Sequence, residues 1–324
     1  MAKIGLIGAG NIGSRYLQAL SKMPEDTQIH AMDIDSSSIQ IAQERYNQVK
    51  TAASPLVHYD MSMEDMGSEF DLIIVATSSR IRRAVIEEIV QKKCFQYLLL
   101  EKVLFQSMDD YQYIDELLKA RHIKAWVNCT AREFPHYNLI KKELEGQSFT
   151  VHMAGSEFGL ACNAVHSLDL FCYWNDSEKG LEISSEFLDA GTILAKRQNY
   201  IEFTGTLSGR VGRCCFFSIS SLRESADIPL QTIIKSANRL FIVDESNQWM
   251  SIHRKENDWV EERRLLEQIY TSEIMYPIIN HILEKGSCRL PSYEVSSEIH
   301  KKMLAAFLAH MNRNGGKETI CPIT

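Results

Sequence analysis

The sequence predicts an α/β protein: an amino-terminal Rossmann-type, doubly wound parallel sheet, followed by a carboxy-terminal α/β domain with a large, mostly antiparallel open sheet. Strands and helices alternate over about the first 125 residues, and residues 71 to 76 are almost continuously apolar. Such a run is typical of a parallel strand that is buried on both faces. From residue 181 to about 260, extended segments alternate with turn residues, which predicts the second sheet.

The elements of the first domain follow one another at the spacing of βαβ units. Strands are expected at Lys3–Ile7, Gln28–Ile34, Leu56–Tyr59, Asp71–Ala76 and Gln96–Glu101, and helices at Ile12–Met23, Asp35–Tyr46, Ile81–Gln91 and Met108–Arg121. The Asp35-Ser36-Ser37 run is the expected cap of the second helix. We expect this Rossmann-type domain to span residues 1–124.

Residues 125–324 have a different pattern. Short strands are expected at Ala125–Asn128 and Phe149–His152, and helices at Pro135–Leu144, Cys162–Trp174, Leu265–Lys285 and Glu294–Asn312. Between the second and third of these helices the sequence is mostly extended. We expect one further α/β domain, whose last helix can pack back on the first domain.

Composition limits the class of protein. The chain has 324 residues, 45% of them hydrophobic and 24% charged, as is typical of a globular protein. At about 150 residues per domain this length predicts about two domains. The net charge of −7 does not favour nucleic acid, which needs a basic face. The densest basic stretch (Arg80, Arg82, Arg83) precedes two glutamates and is interpreted as the solvated start of a helix.

The sequence also has no signal that predicts a membrane partner. No apolar run approaches the roughly 20 residues of a bilayer-spanning helix, and the first residues lack the pattern of a signal peptide. The eight cysteines are scattered without the spacing of a disulfide framework or a metal motif. We therefore expect reduced thiols, a cytoplasmic location and no metal.

The strongest motif is Gly8-Ala9-Gly10-Asn11-Ile12-Gly13, which follows the first strand and opens the first helix. Glycines at this spacing allow a tight turn, close approach to a pyrophosphate and close packing of helix on strand. Asp33 lies 20 residues after Gly13, at the end of the second strand. A carboxylate there accepts hydrogen bonds from ribose hydroxyls and repels a 2′-phosphate. With Asp35 nearby and no arginine beside it, the pattern favours NAD over NADP.

Two further groups of residues carry chemistry. Glu101 and Lys102 come just after the fifth strand, at the sheet edge where open α/β sheets bind ligands, and a lysine there can polarise a substrate oxygen or move its proton. On the predicted helix 162–174, Cys162, Asn163 and Asp169 lie within one turn of His166, a natural proton shuttle. A zinc site of Cys162 and His166 is disfavoured, because no further ligands have a recognisable spacing.

Together these motifs resemble the Gfo/Idh/MocA oxidoreductases over essentially the whole chain. The resemblance is carried by the Gly8–Gly13 loop, Asp33, Ala76-Thr77, Glu101-Lys102, the Arg132–Pro135 segment, His166 with Asp169, and Leu290–Glu294. It implies a nicotinamide cofactor, a cyclic polyol or sugar substrate, and a second domain, 125–324, that binds substrate and whose sheet mediates assembly into a homodimer or homotetramer. It implies that Lys102 and His166 are the catalytic residues.

The resemblance also implies the binding residues. Those for the cofactor are Gly8, Gly10, Asn11, Ile12, Gly13, Asp33, Ala76, Thr77, Ser78 and Glu101. Those for the substrate are Arg132, Cys162, Asn163 and Asp169, with Arg132 suited to an anionic group.

The sequence departs from the family pattern at several positions. Val103 stands where the family has a proline, Ser78 and Ser79 replace Pro-Asn, and Arg82 replaces a common histidine. Cys162 occupies the place of an aspartate, and Asn163 offers hydrogen bonds but no carboxylate base.

The leading hypothesis is an NAD-dependent dehydrogenase or reductase of a sugar-like or cyclic polyol alcohol or ketone, with Lys102 and His166 as its acid–base pair. A redox-neutral NAD-dependent epimerase or eliminase would use the same residues. A nucleotide-binding sensor or scaffold without turnover is the alternative that Cys162 favours. In each case the expected partner is a small molecule rather than nucleic acid.

Overall fold

The chain folds into two compact units, each with its own sheet. The computed structural model describes residues 1–212, 214–223, 227–313 and 315–324. The first unit comprises Met1–Phe105, Asp109–Asn128 and Ile269–Glu294, and the second comprises Gln106–Met108, Cys129–Gln268 and Val295–Thr324. The single boundary expected after residue 124 is thus replaced by an interleaved division, and the penultimate helix, rather than the last, belongs to the first unit.

The elements are numbered along the chain. The strands are β1 (Lys3–Ile7), β2 (Gln28–Met32), β3 (Val57–Asp60), β4 (Glu69–Val75), β5 (Cys94–Leu100), β6 (Lys124–Val127), β7 (Phe149–Ser156), β8 (Leu181–Leu188), β9 (Ile193–Leu194), β10 (Ile201–Glu202), β11 (Gly205–Val211), β12 (Cys215–Leu222), β13 (Gln231–Ser236), β14 (Arg239–Asp244), β15 (Trp249–Arg254) and β16 (Glu261–Leu265). The helices are α1 (Asn11–Leu20), α2 (Ser36–Asn47), α3 (Ser79–Lys92), α4 (Met108–Ala120), α5 (Pro135–Leu144), α6 (Leu160–Trp174), α7 (Thr271–Lys285) and α8 (Tyr293–Met311). Short 3₁₀ turns occupy Thr130–Glu133 and Lys255–Asn257.

The first unit contains a six-stranded parallel sheet in the order β3-β2-β1-β4-β5-β6. This order confirms the doubly wound sheet. Its strand order reverses between β1 and β4, so the carboxyl ends of these two strands border the crevice in which such sheets bind ligands. The apolar side chains of both strands are fully buried, as parallel strands covered on both faces require.

Helix α7 packs against α1 within the first unit. Burial of Tyr16, Leu17 and Leu20 fixes α1 in place, and the buried residues Met275, Ile279 and Ile282 follow the inward face of α7. The expectation that this later helix starts at Leu265 is wrong. Leu265 is the exposed last residue of β16, and the helix begins at Thr271.

The second unit contains an eight-stranded sheet in the order β16-β15-β14-β13-β7-β12-β11-β8. Only the β7–β12 pair is parallel, which confirms the expected mostly antiparallel sheet. Helix α6 covers one face, where the rings of Phe171 and Phe217 stack with centroids 4.9 Å apart. The opposite face exposes His152, Phe216 and Ile233, because side chains alternate along each strand.

Among the described residues, no helix has both the length and the apolar character needed to cross a bilayer.

Candidate active site

The glycine loop after β1 has two glycines that backbone geometry and packing require and one that borders open space. Gly8 has a φ of +91°, a conformation that favours glycine. A Cβ on Gly13 would lie 1.8 Å from the Gly8 carbonyl oxygen, so α1 packs against the loop at a distance that excludes any side chain. A Cβ on Gly10 would meet nothing within 4 Å. Packing therefore explains the first and last glycines, whereas open space lies beside the middle one.

The start of α1 fits an anionic ligand beside that space. Its N-cap is Gly10, and no side chain caps the helix there. The first backbone N–H groups of a helix carry partial positive charge and bind phosphate well. On the neighbouring β4 edge, Thr77 Oγ1 is buried and has no hydrogen-bond partner in the described part of the chain. A buried hydroxyl of this kind normally has a partner, which a bound ligand can supply.

Asp33 holds the glycine loop. Its Oδ2 accepts a hydrogen bond from the Ala9 N–H at 2.8 Å, and its Oδ1 accepts one from the Asp35 N–H at 3.0 Å. Each carboxylate oxygen has a second lone pair, so the half-buried side chain can also accept from a ligand hydroxyl.

An arginine does lie near the loop, contrary to the sequence interpretation. Arg45, near the end of α2, donates to the Asn11 side-chain oxygen at 3.2 Å and to Ser14 Oγ at 2.7 Å. These contacts anchor the first turn of α1 and bring a positive charge beside it.

Glu101 and Lys102 follow β5 at the same edge of the first sheet. Glu101 is buried, and its Oε1 accepts hydrogen bonds from the Tyr16 hydroxyl at 2.7 Å and from Asn128 Nδ2 at 2.5 Å. Glu101 thus ties α1 and the end of β6 to β5, a role that the sequence interpretation as a cofactor contact did not include. Lys102 is half-buried, and the peptide bond to Val103 is cis.

Arg82 is not part of a solvated helix start. Its side chain is only 1% exposed, and it donates to the carbonyl of Leu104 at 3.0 Å and to the carbonyls of Val103 and Thr77. A buried guanidinium satisfied by backbone oxygens joins two segments firmly. It ties the end of β4, where Ala76, Thr77 and Ser78 lie, to the segment after Lys102.

The second unit contains a pocket of about 390 Å³ that His166 and Asn163 line from α6. One part of its wall is apolar and consists of Phe134, Tyr137, Met153, Phe158, Leu170 and Leu230. The polar lining residues are Thr130, Asn163, His166, Ser167 and Glu245. Pockets that combine apolar walls with a few placed polar groups are typical of small-molecule sites.

Arg132 and Asp169 bind each other. Arg132 Nε and Nη2 donate to the two carboxylate oxygens of Asp169 at 2.6 Å each, and Asp169 is 1% exposed. Burial lowers the pKa of the Arg132 guanidinium and the Asp169 carboxylate raises it, with a net rise, whereas burial raises the pKa of the Asp169 carboxyl despite Arg132. The two short, parallel contacts are those of an ion pair. This ion pair occupies the groups with which both side chains would bind a substrate, and their role as substrate contacts stays a prediction.

The first turn of α6 is held by a carboxylate that the sequence motif did not reveal. Glu202 on β10 accepts hydrogen bonds from the backbone N–H groups of Ala161 at 2.6 Å and Cys162 at 3.2 Å. Asn163 donates its side-chain N–H to the Phe158 carbonyl at 2.6 Å. The position at which the sequence lacks an aspartate therefore has a carboxylate from another element beside it.

Comparison with known proteins agrees with this geometry. Residues 2–145 match the family model for an oxidoreductase family with an NAD-binding Rossmann fold, Gfo/Idh/MocA. This part of the chain is a Gfo/Idh/MocA domain. The chain thus carries the NAD-binding domain of this oxidoreductase family. A search of curated protein sequences found no match.

Solved structures of oxidoreductases show the same fold over nearly the whole chain. An oxidoreductase from Agrobacterium radiobacter in complex with NAD+, L-tartaric acid and magnesium is 14% identical, with 97% of each chain covered and a TM-score of 0.72. The UDP-N-acetylglucosamine 3-dehydrogenase of Acidithiobacillus ferrooxidans is 15% identical, with 95% of this chain and 97% of that chain covered and a TM-score of 0.68. A Gfo/Idh/MocA oxidoreductase from Vibrio cholerae is 15% identical, with 98% and 100% covered and a TM-score of 0.70.

NAD fits the residues of the Gfo/Idh/MocA domain. The open space beside Gly10, the uncapped start of α1 and the orphaned Thr77 hydroxyl suit its pyrophosphate end, and the Asp33 carboxylate suits a ribose. Asn11 and Ile12 form the first turn of α1, and Ile12 is 43% exposed, as a residue bordering a bound ligand can be.

Proposed function

We propose that this chain transfers hydride between NAD and a carbon of a sugar-like or cyclic polyol alcohol or ketone. The observation that carries the proposal is the glycine loop, in which only the middle glycine has open space where a ligand's phosphates can lie. When bound, the nicotinamide supplies the hydride acceptor or donor.

The protein's own task in such a reaction is to move a proton. Oxidation of an alcohol carbon releases the hydroxyl proton, which a general base must accept, and reduction needs a general acid. Lys102, half-buried at the end of β5, and His166, in the pocket of the second unit, are our candidates. We assign proton transfer to one of them and polarisation of the reacting oxygen to the other.

The pocket around His166 supports a sugar-like substrate. Apolar walls can cover the C–H face of a ring, while the hydroxyl edges meet Thr130, Asn163 and Ser167.

Calorimetric titration of the full-length protein with NADH and NADPH tests the cofactor first. We expect NADH to bind clearly and NADPH far more weakly. Tighter binding of NADPH would contradict the role of Asp33, and no binding of either would favour a scaffold without turnover.

A screen of sugars and polyols for NADH formation then tests the chemistry. On the best substrate, Lys102→Ala and His166→Ala should each lower kcat by about 10²-fold or more while NADH still binds. The exposed residues Lys50 and His281 offer matched controls, since Lys50→Ala and His281→Ala should keep wild-type turnover. Wild-type turnover in both Lys102→Ala and His166→Ala would refute the assignment. Product formation without net NADH would identify the redox-neutral epimerase or eliminase.

We also propose that the exposed face of the second sheet forms a homo-oligomer contact. Phe216 is 48% and Ile233 38% exposed on this face, and uncovered apolar side chains on one sheet face favour association. Light scattering on the eluted protein should give a dimer or tetramer, and Phe216→Glu should shift it towards the monomer. A wild-type monomer would contradict this proposal.

A further inference from the structure

The pocket of the second unit has an uneven distribution of charge. Among its lining residues in the described part of the chain, Glu245 is the only one with a formal charge, and no lysine or arginine lines it. The guanidinium of Arg132 lies in its fork with Asp169, which neutralises it. With His166 and the neighbouring His136 neutral, the pocket is therefore negative.

Glu245 stands on a rigid support. It follows Asp244, whose carboxylate accepts hydrogen bonds from the Asn247 backbone N–H at 2.9 Å and from Gln231 Nε2 at 2.9 Å. These bonds fix the turn between β14 and β15. A charge on a fixed turn can select a ligand more sharply than one on a mobile loop, because no ordering cost reduces the effect.

The Glu245 carboxylate lies beside two aromatic neighbours, His136 and Tyr137. Its Oε1 lies 3.4 Å from His136 Nε2. The Tyr137 hydroxyl is hydrogen-bonded to it, and burial together with this carboxylate raises the pKa of Tyr137 well above its usual value, so the phenol stays a donor. The side chain is nevertheless 48% exposed. A carboxylate has about four acceptor positions, so acceptor capacity remains for a ligand.

We propose that Glu245 determines specificity, so that the pocket accepts cationic and neutral polyhydroxylated rings and rejects those bearing a carboxylate or phosphate. An ammonium or hydroxyl group of the ligand donates to Glu245, and the ring lies against Phe134 and Tyr137. This inference rests on the proposed function in one respect: it assumes that the pocket around His166 binds the substrate. It competes with the expectation that Arg132 binds an anionic group of the substrate.

Matched sugar sets test the inference on the full-length protein with NAD+. Each set contains the neutral sugar, the 2-amino sugar and the uronate of gluco, galacto or manno configuration, compared at about pH 7, where amine and carboxylate are charged. Ligand-detected NMR titrations measure the affinity of each. In the best-binding set, we expect the amino sugar to bind at least about tenfold more tightly than the uronate.

Variants separate Glu245 from the rest of the pocket. Glu245→Gln keeps the shape and should reduce the amino-sugar preference several-fold or more, whereas the control Glu261→Gln removes an exposed carboxylate on β16 and should keep it. Thermal unfolding of both variants checks that they fold. Equal or tighter uronate binding, an unchanged preference in Glu245→Gln, or no binding by any set would overturn the inference. Binding with the expected preference but without NADH formation from any of these sugars would instead count against the proposed function alone.

Discussion

The carboxylate of Asp33 accepts a hydrogen bond from the Ala9 N–H at 2.8 Å, across 24 residues of sequence. The contact joins the end of β2 to the glycine loop after β1. One residue therefore both shapes the loop and presents negative charge beside it, so we expect the affinity and the selectivity for the dinucleotide to be coupled.

Asp33→Asn separates these two roles. The amide oxygen can still accept from Ala9, whereas the amide nitrogen cannot accept from the Asp35 N–H as Oδ1 does. We expect the loop to keep its shape, because the bond from Ala9 remains, while the negative charge disappears. Because the carboxylate repels a 2′-phosphate, the preference for NADH over NADPH should fall by about tenfold or more. Calorimetric titration with both dinucleotides measures the ratio. Asp26→Asn, at an exposed site, serves as the control, and an unaltered ratio in Asp33→Asn would refute the role.

Gly10 and Gly13 should respond in opposite ways to the same substitution. Gly10→Ala places its Cβ in open space and should change the free energy of unfolding by less than about 1 kcal/mol. It should nevertheless weaken NADH binding by more than about tenfold, because the methyl occupies the space for the pyrophosphate. Chemical denaturation and calorimetry measure the two effects.

Gly13→Ala instead forces a Cβ to 1.8 Å from the Gly8 carbonyl oxygen. We expect it to lower the free energy of unfolding by about 2 kcal/mol or more, since the backbone must move apart. Normal NADH affinity in Gly10→Ala, or normal stability in Gly13→Ala, would contradict this division of roles.

Local sequence pattern predicted the parts of the fold that depend on nearby residues. The alternation of apolar and polar residues located β1 and α5 at their observed bounds, and the cap at Asp35 located α2. In contrast, Leu265 belongs to an exposed edge strand that pairs with β15, and its apolar spacing alone could not distinguish this strand from a helix.

The residues of the candidate site could be predicted only where they follow one another in the sequence as a motif. The Gly8–Gly13 loop is such a motif. The contacts of Arg45 with Asn11 and of Glu202 with Ala161 join residues 34 and 41 positions apart, respectively. Side-chain pairs of this kind are set by tertiary packing, and a single sequence carries no signal of them. Glu245 was missed for the same reason, since a glutamate in a turn resembles any solvated charge.

The Arg132–Asp169 ion pair should stabilise the fold only while both charged side chains are present. Asp169→Asn leaves the buried guanidinium without a counter-charge and should cost about 3–5 kcal/mol in the free energy of unfolding. The double variant Arg132→Met/Asp169→Leu removes both charges and should recover much of that loss. Urea denaturation of Arg132→Met, Asp169→Leu and the double variant measures the coupling. Additive losses would show that the two side chains act independently.

Stability at acidic pH should depend on Glu143. This side chain of α5 accepts hydrogen bonds from Arg254 on β15 at 2.5 to 3.2 Å and lies 2.7 Å from Arg239 Nε on β14. Hydrogen bonding to Arg254 lowers the pKa of Glu143 from its usual 4.5, despite partial burial. Because the folded pKa is the lower one, the unfolded chain takes up the proton first, so the stabilisation is complete above about pH 4.5 and is lost as the pH falls through the folded pKa.

Glu143→Gln should therefore lower the free energy of unfolding by about 1 kcal/mol at neutral pH, a modest value because the three side chains are still 15 to 17% exposed and solvent screens their charges. The difference in the free energy of unfolding between Glu143→Gln and wild type should shrink as the pH falls below the usual pKa of the Glu143 carboxyl. Urea denaturation at several pH values measures it, with Glu261→Gln as a control that lacks an ion pair among the described contacts. A difference that stays constant down to the acid transition would mean that Glu143 acts through packing rather than through its charge.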